Sequence, residues 1–216
     1  MTRTAIFGGS FNPIHYGHLL LADDLLERLS FDRLLFVPAG VPPHKPTTTL
    51  APAADRYAMV KLAVADHPHF EVSDLELRRS GPSYTVDTLG ALASADQALF
   101  LIVGSETFLD LLSWRAPRRI AELARLVVVP RAGSVFDPEA AAAQKVLREI
   151  GGTRFVACEQ GPVPDDGVLV VHATSLPISA SELRRRAREG RSLAYRLPPA
   201  VAQYIRSRRL YGGSPA

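Results

Sequence analysis

Two rhythms of apolar residues alternate along this chain. Thr4-Ala5-Ile6-Phe7 and Arg33-Leu34-Leu35-Phe36-Val37-Pro38 are short, nearly continuous runs, the pattern of strands buried on both faces, and the second is closed by a proline that cannot continue a central ladder. Between them Leu19, Ala22, Leu25, Leu26 and Leu29 fall at helical spacing, with Asp23, Asp24, Glu27 and Arg28 interposed. Strand, helix and strand predict a right-handed βαβ unit. Further on, the pattern predicts a helix over 53–65 with Pro52 near its first turn, and a strand over 70–73. Leu75-Glu76-Leu77 alternates as an extended edge piece before the Ser80-Gly81-Pro82 turn. A helix opens over 83–89, with a hydroxyl cap and Asp87 in its first turn.

The apolar run 98–103, ending at Gly104, reads as a central parallel strand, followed by a short helix through Phe108, Leu111 and Leu112. Residues 125–130 give a fifth strand, 137–150 an alanine-rich helix, and 154–157 and 168–171 short strands around a Gly/Pro/Asp-rich connector. A helix begins at 178–184, and a basic amphipathic helix spans 198–209. With no internal repeat and no long linker, the expectation is a single α/β domain over 1–216, built on a parallel sheet.

Composition changes this picture little. Hydrophobic residues make up 47% and charged residues 22% of 216, ordinary for a soluble globular chain. The net charge is +3, and much of the basic excess lies late, at Arg184, Arg185, Arg186, Arg188, Arg191, Arg196, Arg206, Arg208 and Arg209. Such a region suits anionic ligands as well as nucleic acid, but aromatics interleaved with the arginines are confined to Tyr195, Tyr204 and Tyr211, which argues against a nucleic-acid binder. Cys158 stands alone, so neither an intrachain disulfide nor a multi-cysteine metal site can form. No apolar run approaches the roughly 18 residues a spanning helix needs, and the N-terminal run is too short for a signal peptide. A cytoplasmic protein with no membrane partner is expected.

The chemistry concentrates at Gly8-Gly9-Ser10-Phe11-Asn12-Pro13-Ile14-His15-Tyr16-Gly17-His18, a strand-to-helix turn. At a helix N-terminus, backbone N–H groups and the helix dipole favour an anion, and glycine lets phosphate oxygens approach the main chain. His15 and His18 are placed on one face of the first turn. An H-x-G-H spacing arises by chance in about one such chain in a hundred. Capping or packing would account for a lone histidine there; two of them behind a glycine pair point to a phosphate site. Neither G-x-G-x-x-G nor G-K-[ST] occurs. A second anion site is legible at Ile178-Ser179-Ala180-Ser181-Glu182-Leu183-Arg184. Ser179 and Glu182 form a capping box, which leaves the Ser181 hydroxyl and the Arg184 guanidinium one turn in for a ligand. His44 and Lys45 on the proline-rich loop 39–46 are two more cations at the same sheet end.

The first of these segments resembles the G-G-S-F-[DN]-P-I-H-x-G-H signature of the H/T-x-G-H nucleotidyltransferase superfamily, and its long form is similar to bacterial nicotinate-nucleotide adenylyltransferases. I-S-[SA]-[ST]-x-[IL]-R resembles the superfamily's second signature, while P-P-H-K and S-Y-T-x-D-T-L are similar to segments of the nicotinate-mononucleotide branch. The shorter phosphopantetheine adenylyltransferases share the first loop but typically carry threonine in place of His15. The resemblance implies a Rossmann-like fold with a parallel five- to six-stranded sheet, flanking helices and C-terminal helices. It implies transfer of AMP from ATP to nicotinate mononucleotide, giving nicotinate adenine dinucleotide and pyrophosphate.

In that reading His15, His18, Lys45 and Arg184 are catalytic. Gly8, Gly9, Ser10, Phe11, His18, Gly104, Glu106, Arg131, Ile178, Ser179, Ser181 and Arg184 hold ATP. His44, Lys45, Tyr84, Thr85 and Trp114 hold the mononucleotide, with Trp114 and Tyr84 beside the nicotinate ring. Mg²⁺ is expected on the triphosphate, held by phosphate oxygens and water, with no protein ligand. Glu106 and Asn12 depart from the family pattern, where aspartate is usual at both positions. A non-catalytic nucleotide-sensing module on the same fold stays open as the alternative, and the sequence leaves room for a homo-oligomer.

Overall fold

The structure, a computed structural model, describes residues 1–43, 50–130, 136–160 and 163–212. Among them seven strands form one parallel sheet: β1 (Thr2–Gly9), β2 (Arg33–Pro38), β3 (Phe70–Val72), β4 (Gln97–Gly104), β5 (Arg125–Val129), β6 (Phe155–Ala157) and β7 (Val168–Val170). Their spatial order is β3-β2-β1-β4-β5-β7-β6. The sheet therefore has seven strands rather than the expected five or six. Five or six is what the resemblance implies; the short strands read at 154–157 and 168–171 both join the sheet, in inverted order, β7 returning into the gap between β5 and the edge strand β6.

The helices are α1 (Tyr16–Arg28), α2 (Ala53–Val64), α3 (Leu75–Arg78), α4 (Thr85–Leu92), α5 (Ser105–Leu109), α6 (Pro117–Leu123), α7 (Ala141–Glu149), α8 (Ala180–Arg188) and α9 (Pro199–Ser207), with 3-10 turns at Leu111–Ser113 and Leu210–Gly212. Alternate strand residues feed opposite faces, as the period of two requires. Ala5, Leu34, Phe36, Val127 and Leu169 pack with Leu25, Met59, Leu183, Val201 and Ile205, under α1, α2, α8 and α9. Ile6, Leu35, Val37, Val128 and Val170 pack with Leu89, Phe108, Ile120 and Val146, under α4, α5, α6 and α7. A sheet covered on both faces explains why its strands read as continuous apolar runs.

Three local expectations are corrected. The supposed edge piece at Leu75 is the single helical turn α3. The Ser73 hydroxyl accepts from Leu75 N–H at 3.2 Å, Arg78 and Asp74 pair at 2.7 Å, and Glu76 turns inward to accept from the Thr88 hydroxyl at 2.6 Å. No side chain caps α4, whose N-cap is Tyr84; the Ser83 hydroxyl instead accepts from Gly40 and Val41 N–H at 3.0 and 3.2 Å. The alanine-rich helix starts at Ala141 rather than 137, because Asp137 accepts from Glu139 N–H (2.9 Å) and holds 137–140 in a turn.

Candidate active site

The order of the strands locates the site. From β1 the chain moves outward to β2 and β3, then returns to β1's other side with β4 and proceeds the opposite way. At such a reversal, connections leave on opposite faces and a crevice opens at the strands' carboxyl ends. Here the crevice is widened by register. The β1–β4 ladder ends at the pair Ile6–Leu101, while β1 runs on to Gly9 and β4 to Gly104. Gly8 faces open space, so a Cβ there would meet nothing within 4 Å.

Beyond Gly9 the loop turns back on itself. Phe11 adopts φ 42° and its ring is buried, edge-on to Phe7 (5.6 Å), Phe36 (5.7 Å) and His18 (5.2 Å). Its backbone, rather than its ring, is what remains for a ligand. His15 is the N-cap of α1, with extended φ/ψ and no side-chain cap bond. Its imidazole stacks on that of His18 at 3.8 Å and 28°. Gly17 makes room for this, because a Cβ there would lie 3.0 Å from His15 Cε1 and Nδ1. A side chain in place of the glycine of H-x-G-H would thus push the His15 ring by a few tenths of an ångström.

His15 is only 6% exposed, and its buried Nδ1 has no hydrogen-bond partner among the described residues. Burial pushes its pKa down from 6.5 to about 4, so the ring is neutral at pH 7 in the ligand-free protein. The unfolded chain takes up this proton near pH 6.5 and the folded one only near pH 4. The neutral ring's contribution to stability is therefore full above pH 6.5 and lost as pH falls towards 4. Denaturant unfolding of His15→Gln at pH 7 and pH 4 is expected to show roughly 2–3 kcal/mol less pH dependence than the parent. An identical pH dependence in both would contradict the neutral, buried ring.

The second signature closes on the first. The Ser179 hydroxyl accepts from Glu182 N–H at 3.2 Å, the expected cap of α8. One turn in, Arg184 donates from Nη2 to the Ser181 hydroxyl (3.2 Å) and from Nη1 to the Asn12 carbonyl (2.9 Å). The starts of α1 and α8, the two candidate anion sites, are thereby brought together, with the Arg184 guanidinium between them. Ile178 precedes the cap and is half-buried. Gly104 is the N-cap of α5, and Glu106 is exposed in its first turn. Tyr84 and Thr85 open α4, where the Arg115 guanidinium lies 4.9 Å from the Tyr84 ring centre. Trp114, next to Arg115, is half-buried against the second apolar layer. Ser83 ties this segment to Gly40 and Val41 after β2. His44, Lys45 and Arg131 lie outside the described residues.

Sequence reasoning missed the group that holds these loops together. Arg56 is 1% exposed and donates to the carbonyls of Ala51 (3.0 Å), Ser10 (2.9 Å) and Gly40 (3.0 Å), joining α2 to the loops after β1 and β2. Burial pulls its guanidinium below its ordinary range, yet an arginine stays charged at pH 7. The signal was present: Arg56 falls at helical spacing with Met59, Val60 and Val64, so a cation sits on the apolar face. Asn12 is the second such group. Its side-chain oxygen accepts from Ala51 N–H (3.0 Å) and from the Tyr211 hydroxyl (2.9 Å), a phenol whose pKa burial raises. Among the described residues no cluster of three or more His, Cys, Asp or Glu could hold a metal ion.

A family model described as Cytidylyltransferase-like matches residues 6–186. A Geotalea daltonii protein named "probable nicotinate-nucleotide adenylyltransferase" is 43% identical over 215 residues, covering 97% of this chain and 98% of its own. A Thermus thermophilus protein of the same name is 43% identical over 212 residues, covering 97% and 99%. Among solved structures, Plasmodium falciparum nicotinic acid mononucleotide adenylyltransferase complexed with NaAD covers 99% of both chains with a TM-score of 0.75 and 18% identity. The same enzyme complexed with APC gives 0.73 and 17% over 99% of each chain. At those identities the likeness to solved structures is one of fold.

Proposed function

The chain belongs to the nicotinate-nucleotide adenylyltransferase family, a family of nucleotidyltransferases, and from that premise we propose that it joins ATP and nicotinate mononucleotide into nicotinate adenine dinucleotide and pyrophosphate. The observation that carries the reading is Arg184 of the second signature reaching Asn12 of the first at 2.9 Å, beside the stacked imidazoles of His15 and His18.

The chemistry asks little covalent work of the protein. A phosphate monoester with a second pKa near 6 is already mostly dianionic at pH 7. One of its oxygens attacks the α-phosphorus of ATP, the bond to the β-phosphate oxygen breaks, and the electron pair leaves on pyrophosphate. What remains is positioning and charge neutralisation. In this reading Gly8 and Gly9, with the backbone of Ser10 and Phe11, cradle the phosphates, and His18 donates to the α-phosphate as charge gathers there. His15 lies beside the phosphates, whose negative charge draws the imidazole pKa upward from about 4. Arg184, Ser179 and Ser181 take the β- and γ-phosphates. His44 and Lys45 face the mononucleotide phosphate, Tyr84, Thr85 and Trp114 the nicotinate, and Gly104, Glu106, Arg131 and Ile178 the adenosine. Mg²⁺ enters as part of the substrate, on the triphosphate oxygens, where it offsets their charge. No helix among the described residues is long and apolar enough to cross a membrane, and the proposal includes a cytoplasmic site of action.

Pyrophosphate release with Mg²⁺·ATP tests this directly, with nicotinate mononucleotide, nicotinamide mononucleotide and phosphopantetheine offered in parallel. Fastest turnover with the nicotinate substrate and none with phosphopantetheine is expected. Silence with all three, despite ATP binding, would replace the enzyme by a nucleotide-sensing module. Gly17→Ala separates positioning from stability in the same assay. Alanine favours a helix over glycine by about 1 kcal/mol, so the midpoint of unfolding should hold. The new methyl must displace the His15 ring, and turnover is expected to fall about ten-fold. Unchanged turnover would mean that the His15–His18 stack does not matter.

A further inference from the structure

Behind the second signature lies a cavity of about 810 Å³, between α8, α9 and the loop 189–198 that joins them. Its apolar lining comes from Leu193, Leu197, Ile205 and Leu210, and Arg206 and Arg209 also line it. Among the described residues neither arginine side chain has a hydrogen bond or an ion pair, unlike Arg191 beside them, which meets Glu189 at 3.2 Å. The size suits a whole small ligand. An apolar lining disfavours a polyphosphate or nucleic acid, and two unneutralised guanidiniums disfavour a plain hydrocarbon. What fits both features is an amphipathic monoanion.

The cavity also touches all three segments that converge on the phosphate site. Ala187 and Gly190 line it from the end of the helix that carries Arg184. Tyr16, the residue after His15, lines it from the first signature. Arg209 and Leu210 line it two and one residues before Tyr211, whose hydroxyl reaches Asn12. That last turn is strained, since Arg209 (φ 51°) and Tyr211 (φ 68°) are both left-handed without being glycine. Such residues persist only where their surroundings hold them.

We propose that this cavity is an effector site for an amphipathic carboxylate, its apolar group against Leu193, Leu197 and Ile205 and its head at Arg206 and Arg209. Occupancy stiffens the turn that delivers Tyr211 to Asn12 and so alters ATP affinity; only this coupling rests on the phosphate-site reading above.

Calorimetry on the full chain tests both parts without relying on turnover. Decanoate is the probe, with decanol lacking the charge and butyrate lacking the apolar length. Decanoate is expected to bind at least about ten-fold more tightly than either control, and Arg206→Gln/Arg209→Gln to weaken it about ten-fold. Ala194→Trp, at an exposed position lining the cavity, is expected to block binding while leaving the fold intact. ATP affinity measured with and without saturating decanoate is expected to differ about five-fold in the parent and not in Ala194→Trp. No decanoate binding, or binding that both variants leave unchanged, would overturn the site. Binding with no change in ATP affinity would overturn its effector role. A dimer that Ala194→Trp splits would assign this face to a second copy of the chain and overturn the proposal as well.

Discussion

His18→Ala is expected to lower kcat for adenylyl transfer at least about 100-fold, while the KM of either substrate moves by no more than a few-fold. The expectation follows from where the ring is held. It is fixed on three sides, by His15 (3.8 Å), Phe11 (5.2 Å) and Phe7 (6.0 Å), in the first turn of the helix that follows β1. A donor so fixed needs no reorganisation when charge accumulates on the α-phosphorus, and an interaction gained mainly in the transition state acts on kcat. Steady-state kinetics distinguishes this from a binding role. A raised KM with unchanged kcat would make His18 a ground-state contact only.

Arg56→Leu is expected to destabilise the fold by about 3 kcal/mol, roughly 10 °C in Tm for a chain of this length. Leucine fills the volume but leaves the carbonyls of Ala51, Ser10 and Gly40 without their donor. Unsatisfied buried acceptors cost about 1–3 kcal/mol each, and relief of the guanidinium's own desolvation offsets part of that. Arg56→Lys should recover only a fraction of the loss, because one ammonium cannot reach three carbonyls that the guanidinium meets with three separate nitrogens. Thermal unfolding of the parent and both variants decides it. A leucine variant as stable as the parent would mean that the network gains no more than its desolvation takes away.

These two residues also mark what the sequence could and could not disclose. The pairing of His15 and His18 on one face was legible because its signal is local: a glycine pair, a strand end and two histidines three residues apart state their own geometry. Ser179 is similar, since a capping box is a four-residue device and α8 starts where it predicts. Arg56 and Asn12 are different. Their partners lie up to 46 and 199 residues away in sequence, so the periodicity could expose a misplaced cation on α2 but not what it holds. The same limit explains the local errors. The Ser83 hydroxyl had two possible clients, the start of α4 and the loop after β2, and only the fold decides for the second. Likewise Glu76 looks like half of an extended alternation until Thr88 is brought beside it. The inverted order of β6 and β7 leaves no trace in strands of three residues, because pairing order is set by the return path of the chain. Residue type alone also leaves His15 at its ordinary 6.5; only its burial in the fold, which no local pattern states, lowers it to about 4.

The central claim is that this crevice transfers an adenylyl group, and isotopic tracing of the α-phosphorus tests it most directly. With α-³²P-labelled ATP, Mg²⁺ and nicotinate mononucleotide, the account predicts label appearing in a dinucleotide one-for-one with pyrophosphate, in a reaction His18→Ala all but abolishes. Label remaining in ATP, or released as free AMP while nicotinate mononucleotide is untouched, would contradict it.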